Sequence, residues 1–127
     1  MTIETDEKIA ILATRSDSLA AGLSALLLSI PPIQQVKIHD DVAALVKDLA
    51  TVGPALIIVD TTVIDPASAI HLRAIHDGAP RSLHVLLTED MSEYRQLQTT
   101  TQDTVVIKGT DPAELASRLE QLLKARS

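Results

Sequence analysis

Along the 127-residue chain, short apolar runs alternate with longer stretches in which apolar positions recur three and four residues apart. The runs at 8–13, 34–38, 55–59, 83–87 and 104–107 predict strands. Between the first two, Leu19, Leu23, Leu26, Leu27 and Ile30 form one stripe over 17–29, a helix that Pro31-Pro32 ends. A second helix starts at Asp40-Asp41, carries Val42, Leu45, Val46 and Leu49 at i, i+3, i+4 and i+7, and is closed by Gly53-Pro54. Asp65-Pro66 supplies an N-cap and a proline at the first helical position for a helix over 67–76, which Gly78-Ala79-Pro80 ends. Asp90-Met91-Ser92-Glu93 reads as a capping box for a fourth helix with Met91, Tyr94 and Leu97 inward. Its β-branched run Thr99-Thr100-Thr101 makes it the weakest element. Asp111-Pro112-Ala113-Glu114 opens the last helix, with Leu115, Leu119, Leu122 and Leu123 inward.

Strict alternation of strand and helix with right-handed crossovers predicts an α/β fold, a doubly wound parallel sheet with helices on both faces. The run 55–59 shows no alternation, so it should be a central strand covered on both sides. Five strands at this length point to the flavodoxin-like order 2-1-3-4-5. Residues 1–7 are expected to be a flexible N-terminal tail, and 8–127 a single domain.

Composition narrows the function classes. A net charge of −6, with eleven scattered Lys and Arg and Tyr94 as the one aromatic, excludes nucleic-acid binding by this domain alone. With no cysteine there is no disulfide framework and no thiolate metal site, which suits a reducing cytoplasm. The acidic start Met1-Thr2-Ile3-Glu4-Thr5-Asp6-Glu7 is no secretory signal. The longest apolar stretch, 19–30, is too short to cross a bilayer, so no membrane association is expected. His39, His71, His76 and His84 show no metal-ligand spacing, and there is no dinucleotide or phosphate-cradling glycine loop and no nucleophile elbow. An enzyme is not indicated.

Candidate chemistry sits at three strand ends. The apolar runs of the third, fourth and fifth strands stop at Asp60, Thr88 and Lys108, so a carboxylate, a hydroxyl and an ammonium reach one rim of the sheet, where open α/β sheets place ligands. A carboxylate there can accept a phosphoryl group, a hydroxyl can hydrogen-bond it and an ammonium can neutralise it. Each residue also has a plain structural reading. Asp60 can cap a turn, Lys108 can be a solvated loop charge or pair with Asp60, and Thr88 can support the start of the fourth helix.

Carrying Asp60, Thr88 and Lys108 in this order, the chain resembles, over nearly its whole length, the receiver (CheY-like) domains of two-component response regulators. The stretch from Ile107-Lys108-Gly109 to Leu115 is most like receivers attached to helix-turn-helix outputs of the LuxR or NarL type. The resemblance implies that Asp60 is the phosphoacceptor candidate, fed by a histidine kinase, with Thr88 and Lys108 contacting the phosphoryl group. It also implies a surface for a signalling partner or a homodimer on the fourth helix, fifth strand and fifth helix.

The departures imply an atypical receiver. Receivers hold Mg²⁺ with an acidic pair after the first strand, where this chain has Thr14 and Arg15, so weak or absent Mg²⁺ binding and no other cofactor are expected. Arg15 reads either as a surface residue or as a built-in cation beside Asp60 that, with Lys108, leaves the pocket net positive. Glu89 stands where a small residue leaves the phosphoryl pocket open, and would narrow its entrance. Val105 replaces a switching aromatic, Gly109 the usual proline, and 61–64 lacks the common Met-Pro. The expected function is a cytoplasmic pseudo-receiver, a protein-interaction module of phosphorelay signalling with little or no Mg²⁺-dependent phosphorylation at Asp60. The alternatives are an aspartate-phosphorylated receiver controlling a transcriptional output, and a sensor of anions or small molecules using Arg15, Thr88 and Lys108.

Overall fold

A computed structural model describes residues 5–31, 33–64, 69–100 and 103–125. Its elements, in order, are β1 (Thr5–Ala13), α1 (Asp17–Leu28), β2 (Gln35–His39), α2 (Val42–Leu49), β3 (Gly53–Asp60), α3 (Ala69–Gly78), β4 (Leu83–Thr88), α4 (Met91–Thr100), β5 (Thr104–Ile107) and α5 (Pro112–Ala125). The strands form one parallel sheet in the order β2-β1-β3-β4-β5. This is the doubly wound α/β architecture expected from the alternation of the two periodicities.

The two-residue repeat of the central strands sorts their side chains into two cores. Ile9, Ile11, Ile57, Val59 and Leu86 meet α2, α3 and α4 through Leu45, Ile75 and Leu97. Ala10, Leu12, Leu56, Ile58 and Val85 meet α1 and α5 through Leu23, Leu27 and Leu119. Ile57 and Leu45 are fully buried on one side, Leu56 and Leu27 on the other. Each such side chain stabilises the fold by about 1.5–3 kcal/mol relative to exposure.

Several helix ends form as their residues dictate. The Ser16 hydroxyl accepts from the Leu19 amide to cap α1, and Asp41 accepts from Ala44 at 2.7 Å to cap α2. Asp90 accepts from the Glu93 amide at 2.9 Å and caps α4, while the Glu93 carboxylate accepts the Glu89 amide and not that of Asp90, so the expected capping box forms in its N-cap half. The proposed caps Asp65 and Pro66 lie outside the described residues.

Three expectations are corrected. β1 begins at Thr5, with Thr5 aligned on Gly53 and Asp6 on Pro54, so the back half of the stretch read as a tail is strand. Pairing along β3 supplies the backbone partners that the polar sequence Thr5-Asp6-Glu7 does not advertise. α3 runs to Gly78, two residues past its expected end. Met91, expected inward, is 49% exposed, and α4 is anchored instead by buried Leu97 and half-buried Tyr94. Among the described residues no helix is long and apolar enough to cross a membrane.

Candidate functional site at the C-terminal rim of the sheet

Parallel strands deliver their last residues to a common rim, and Asp60 and Lys108 arrive there in bonding distance. The Lys108 Nζ lies 2.9 Å from Asp60 Oδ1. The same oxygen accepts the Thr62 amide at 3.0 Å, and Asp60 Oδ2 accepts the Thr14 hydroxyl at 2.8 Å. Asp60 is 1% exposed and Thr14 3%. The carboxylate is therefore enclosed with a donor on each oxygen. Burial pushes the Asp60 carboxyl up, but Lys108, the Thr62 amide and the Thr14 hydroxyl outweigh it and hold the group below its ordinary value of 3.8. Burial works against the Lys108 ammonium too, and Glu89 with Asp60 overcomes it, raising that group above 10.5.

Lys108 has a second partner, the Glu89 carboxylate, which forms an ion pair with it. Glu89 thus does more than narrow an entrance; it occupies the ammonium. Glu93 was legible in the sequence only as a helix cap, yet its Oε1 accepts the Thr61 hydroxyl and, at 3.4 Å, the Glu89 amide. Two carboxylates, Asp60 and Glu89, thus share one ammonium, and Glu93 joins Glu89 to Thr61.

Thr88 and Arg15 are not in this group. Thr88 is fully buried, its hydroxyl donates to the Val106 carbonyl at 3.2 Å, and its own carbonyl accepts the Lys108 amide at 2.8 Å. It ties β4 to β5. Arg15 is exposed, and its Nε donates to the Asp40 carbonyl at 3.2 Å, in a polar cleft with Thr14, Asp17, Ala20, Ile38, His39 and Asp40. The surface reading of Arg15 is the correct one, and the net-positive pocket is replaced by an acid-rich one. A guanidinium on a long side chain reaches a free carbonyl at the loop surface more readily than it enters a carboxylate cage already closed by a threonine.

The donor set does not fit the Mg²⁺ site that the resemblance implies. Thr14 uses its hydroxyl proton on Asp60, Arg15 brings a cation and no ligand, and both Asp60 oxygens are engaged. Among the described residues no group of three or more His, Asp or Glu side chains is arranged to hold a metal ion. The histidines have structural partners. His39 Nε2 lies 3.0 Å from Asp48, His76 2.8 Å from Asp103, and the His76 and His84 rings stack with centroids 4.0 Å apart.

Solved structures share this architecture. A CheY-like response regulator receiver domain protein from Methanospirillum hungatei JF-1 superposes with a TM-score of 0.75 at 13% identity, over 95% of this chain and 97% of that one. A response regulator receiver protein from Sinorhizobium medicae WSM419 gives a TM-score of 0.75 at 16% identity, over 96% and 98%. The fold is that of a CheY-like receiver. No protein-family model matches the sequence, and no curated protein matches it significantly. At the rim of this fold Asp60 and Lys108 form an ion pair, and Thr14 and Arg15 follow β1.

Proposed function

We propose that this chain is a pseudo-receiver: a cytoplasmic, non-enzymatic signalling module of the two-component type that works through protein contacts and not through Mg²⁺-dependent phosphorylation of Asp60. One observation carries the reading. Asp60 is 1% exposed, its Oδ1 is shared by Lys108 and the Thr62 amide and its Oδ2 accepts the Thr14 hydroxyl, so a phosphoryl donor has no open path to the carboxylate. Phosphoryl transfer depends on positioning and on charge neutralisation around a metal. Asp60 and Glu89, sharing the one Lys108 ammonium, leave the rim net negative in place of that neutralisation.

The partner is a histidine kinase or another signalling protein, met on the face formed by α4, β5 and α5, which also suits a homodimer. The sensor reading has less support, because the cationic pocket it needs is not assembled; Lys108 is neutralised, Thr88 faces β5 and Arg15 faces Asp40.

Incubation with acetyl phosphate and Mg²⁺, followed by intact mass measurement, tests the proposal. No covalent modification is expected. Stoichiometric phosphorylation at Asp60 would establish the working-receiver alternative in its place.

A further inference from the structure

The Lys108 ammonium has three donors and bridges two carboxylates of opposite character. Asp60, with a 2% exposed side chain, is part of the floor; Glu89, 46% exposed, stands at the junction of β4 and α4. From Glu89 the contacts continue without a gap. Its amide donates to Glu93, Glu93 accepts from Thr61 after β3, and the Glu93 amide returns to Asp90. The loop after β3, the start of α4 and the end of β5 are thereby joined by side-chain charge and hydrogen bonds.

Packing holds the first turn of α4 only through half-buried Tyr94. Met91 is 49% exposed, and the buried anchor Leu97 lies further along the helix.

We propose that Glu89 and Glu93 form a carboxylate latch that holds α4 in one position, with Glu89 supplying to Lys108 the anionic partner that a modified aspartate would otherwise provide. The inference rests on the pseudo-receiver reading, since the latch is permanent only while Asp60 stays unmodified. A tethered carboxylate has a high effective concentration at Lys108, so a dissolved anion does not displace it. The surface formed by α4 and β5 is then presented constantly and not on signal. Release requires removing the charge of Glu89 or a partner that takes Lys108 or Glu89 for itself.

Hydrogen exchange read by mass spectrometry or NMR on the whole chain tests this with Glu89→Gln, which keeps shape and removes charge, and with Glu93→Gln and Glu89→Asp. Amides in the first turn of α4 should exchange about tenfold faster or more in both glutamine variants, while β1 and β3 keep wild-type protection. Glu89→Asp, which retains the charge, should recover part of the protection. Unchanged α4 exchange in Glu89→Gln would overturn the latch and reduce the Lys108–Glu89 contact to an inert surface pair. Equal loss throughout the sheet would overturn it as well, because the contact would then stabilise the whole fold and not α4. These measurements use neither acetyl phosphate nor Mg²⁺, so phosphorylation of wild-type Asp60 would refute the receiver reading separately from the behaviour of α4.

Discussion

Thr14 replaces an expected acid with a hydroxyl, and that change inverts its relation to Asp60. Two carboxylates side by side repel and need a cation between them. A hydroxyl donates, and Thr14 closes Asp60 Oδ2 at 2.8 Å while also accepting the Ser16 amide at 3.1 Å. Thr14→Val keeps the shape and removes both functions. A hydrogen bond to a buried charge contributes about 1.5–3 kcal/mol, and a loss of that size is expected in urea unfolding. Lys108→Met should cost about 3–5 kcal/mol, because it strands a buried carboxylate. Combined with Asp60→Asn, the Lys108→Met penalty should shrink, a coupling that a double-mutant cycle in urea measures directly. Asp60, Lys108 and Glu89 were legible as candidates because strand ends identify rim positions. The orientation of Arg15 was not, since nothing in its neighbours' identities states that the Asp40 carbonyl is its nearest partner.

At the level of elements, two glycines give opposite expectations. Gly109, directly after Lys108, has φ +90°, a conformation that disfavours any Cβ. Gly109→Ala should destabilise by about 1–2 kcal/mol. Gly22 lies inside α1 with nothing within 4 Å of a Cβ built on it. Gly22→Ala should raise stability by about 0.5–1 kcal/mol, through the lower backbone entropy of alanine in the unfolded chain. Thermal unfolding of the two variants checks the contrast. Strong periodicity located β3, β4 and β5 to within two residues and the buried face of α2, but Gly53-Pro54, read as closing α2, opens β3, and α2 ends at Leu49. The opening of β1 was missed because Thr5 pairs through its backbone and not through an apolar pattern. In α4 the three-four spacing pointed Met91 inward, but the helix lies with Leu97 and Tyr94 toward the sheet.

At the level of the whole molecule, the enclosed rim pair and the Asp48 cluster make stability pH-dependent. Asp60 is held below its ordinary 3.8 by Lys108, Thr62 and Thr14 against its burial. Asp48 is held low by His39 and Lys37, likewise against burial. A carboxylate depressed in the folded state binds fewer protons there than in the unfolded chain, so its contribution is complete above the unfolded value and lost as pH falls through the folded one. Stability should therefore decline as pH drops below about 4, and Asp60→Asn should flatten that decline. Lys108, raised above 10.5, contributes below that value and ceases to as pH rises past its folded value. Urea midpoints across the acid range measure the first of these effects.

The sequence by itself determined the layered α/β fold, the order of its strands and the arrival of Asp60 and Lys108 at one rim, because periodicity and strand ends are local properties repeated along the chain. Only the tertiary structure decided the partners: Thr14 on Asp60, Glu89 on Lys108, Glu93 on Thr61 and Arg15 turned toward Asp40. Those choices depend on distances between segments 19 to 46 residues apart in sequence, where a few ångströms decide whether an acid faces a cation or a hydroxyl.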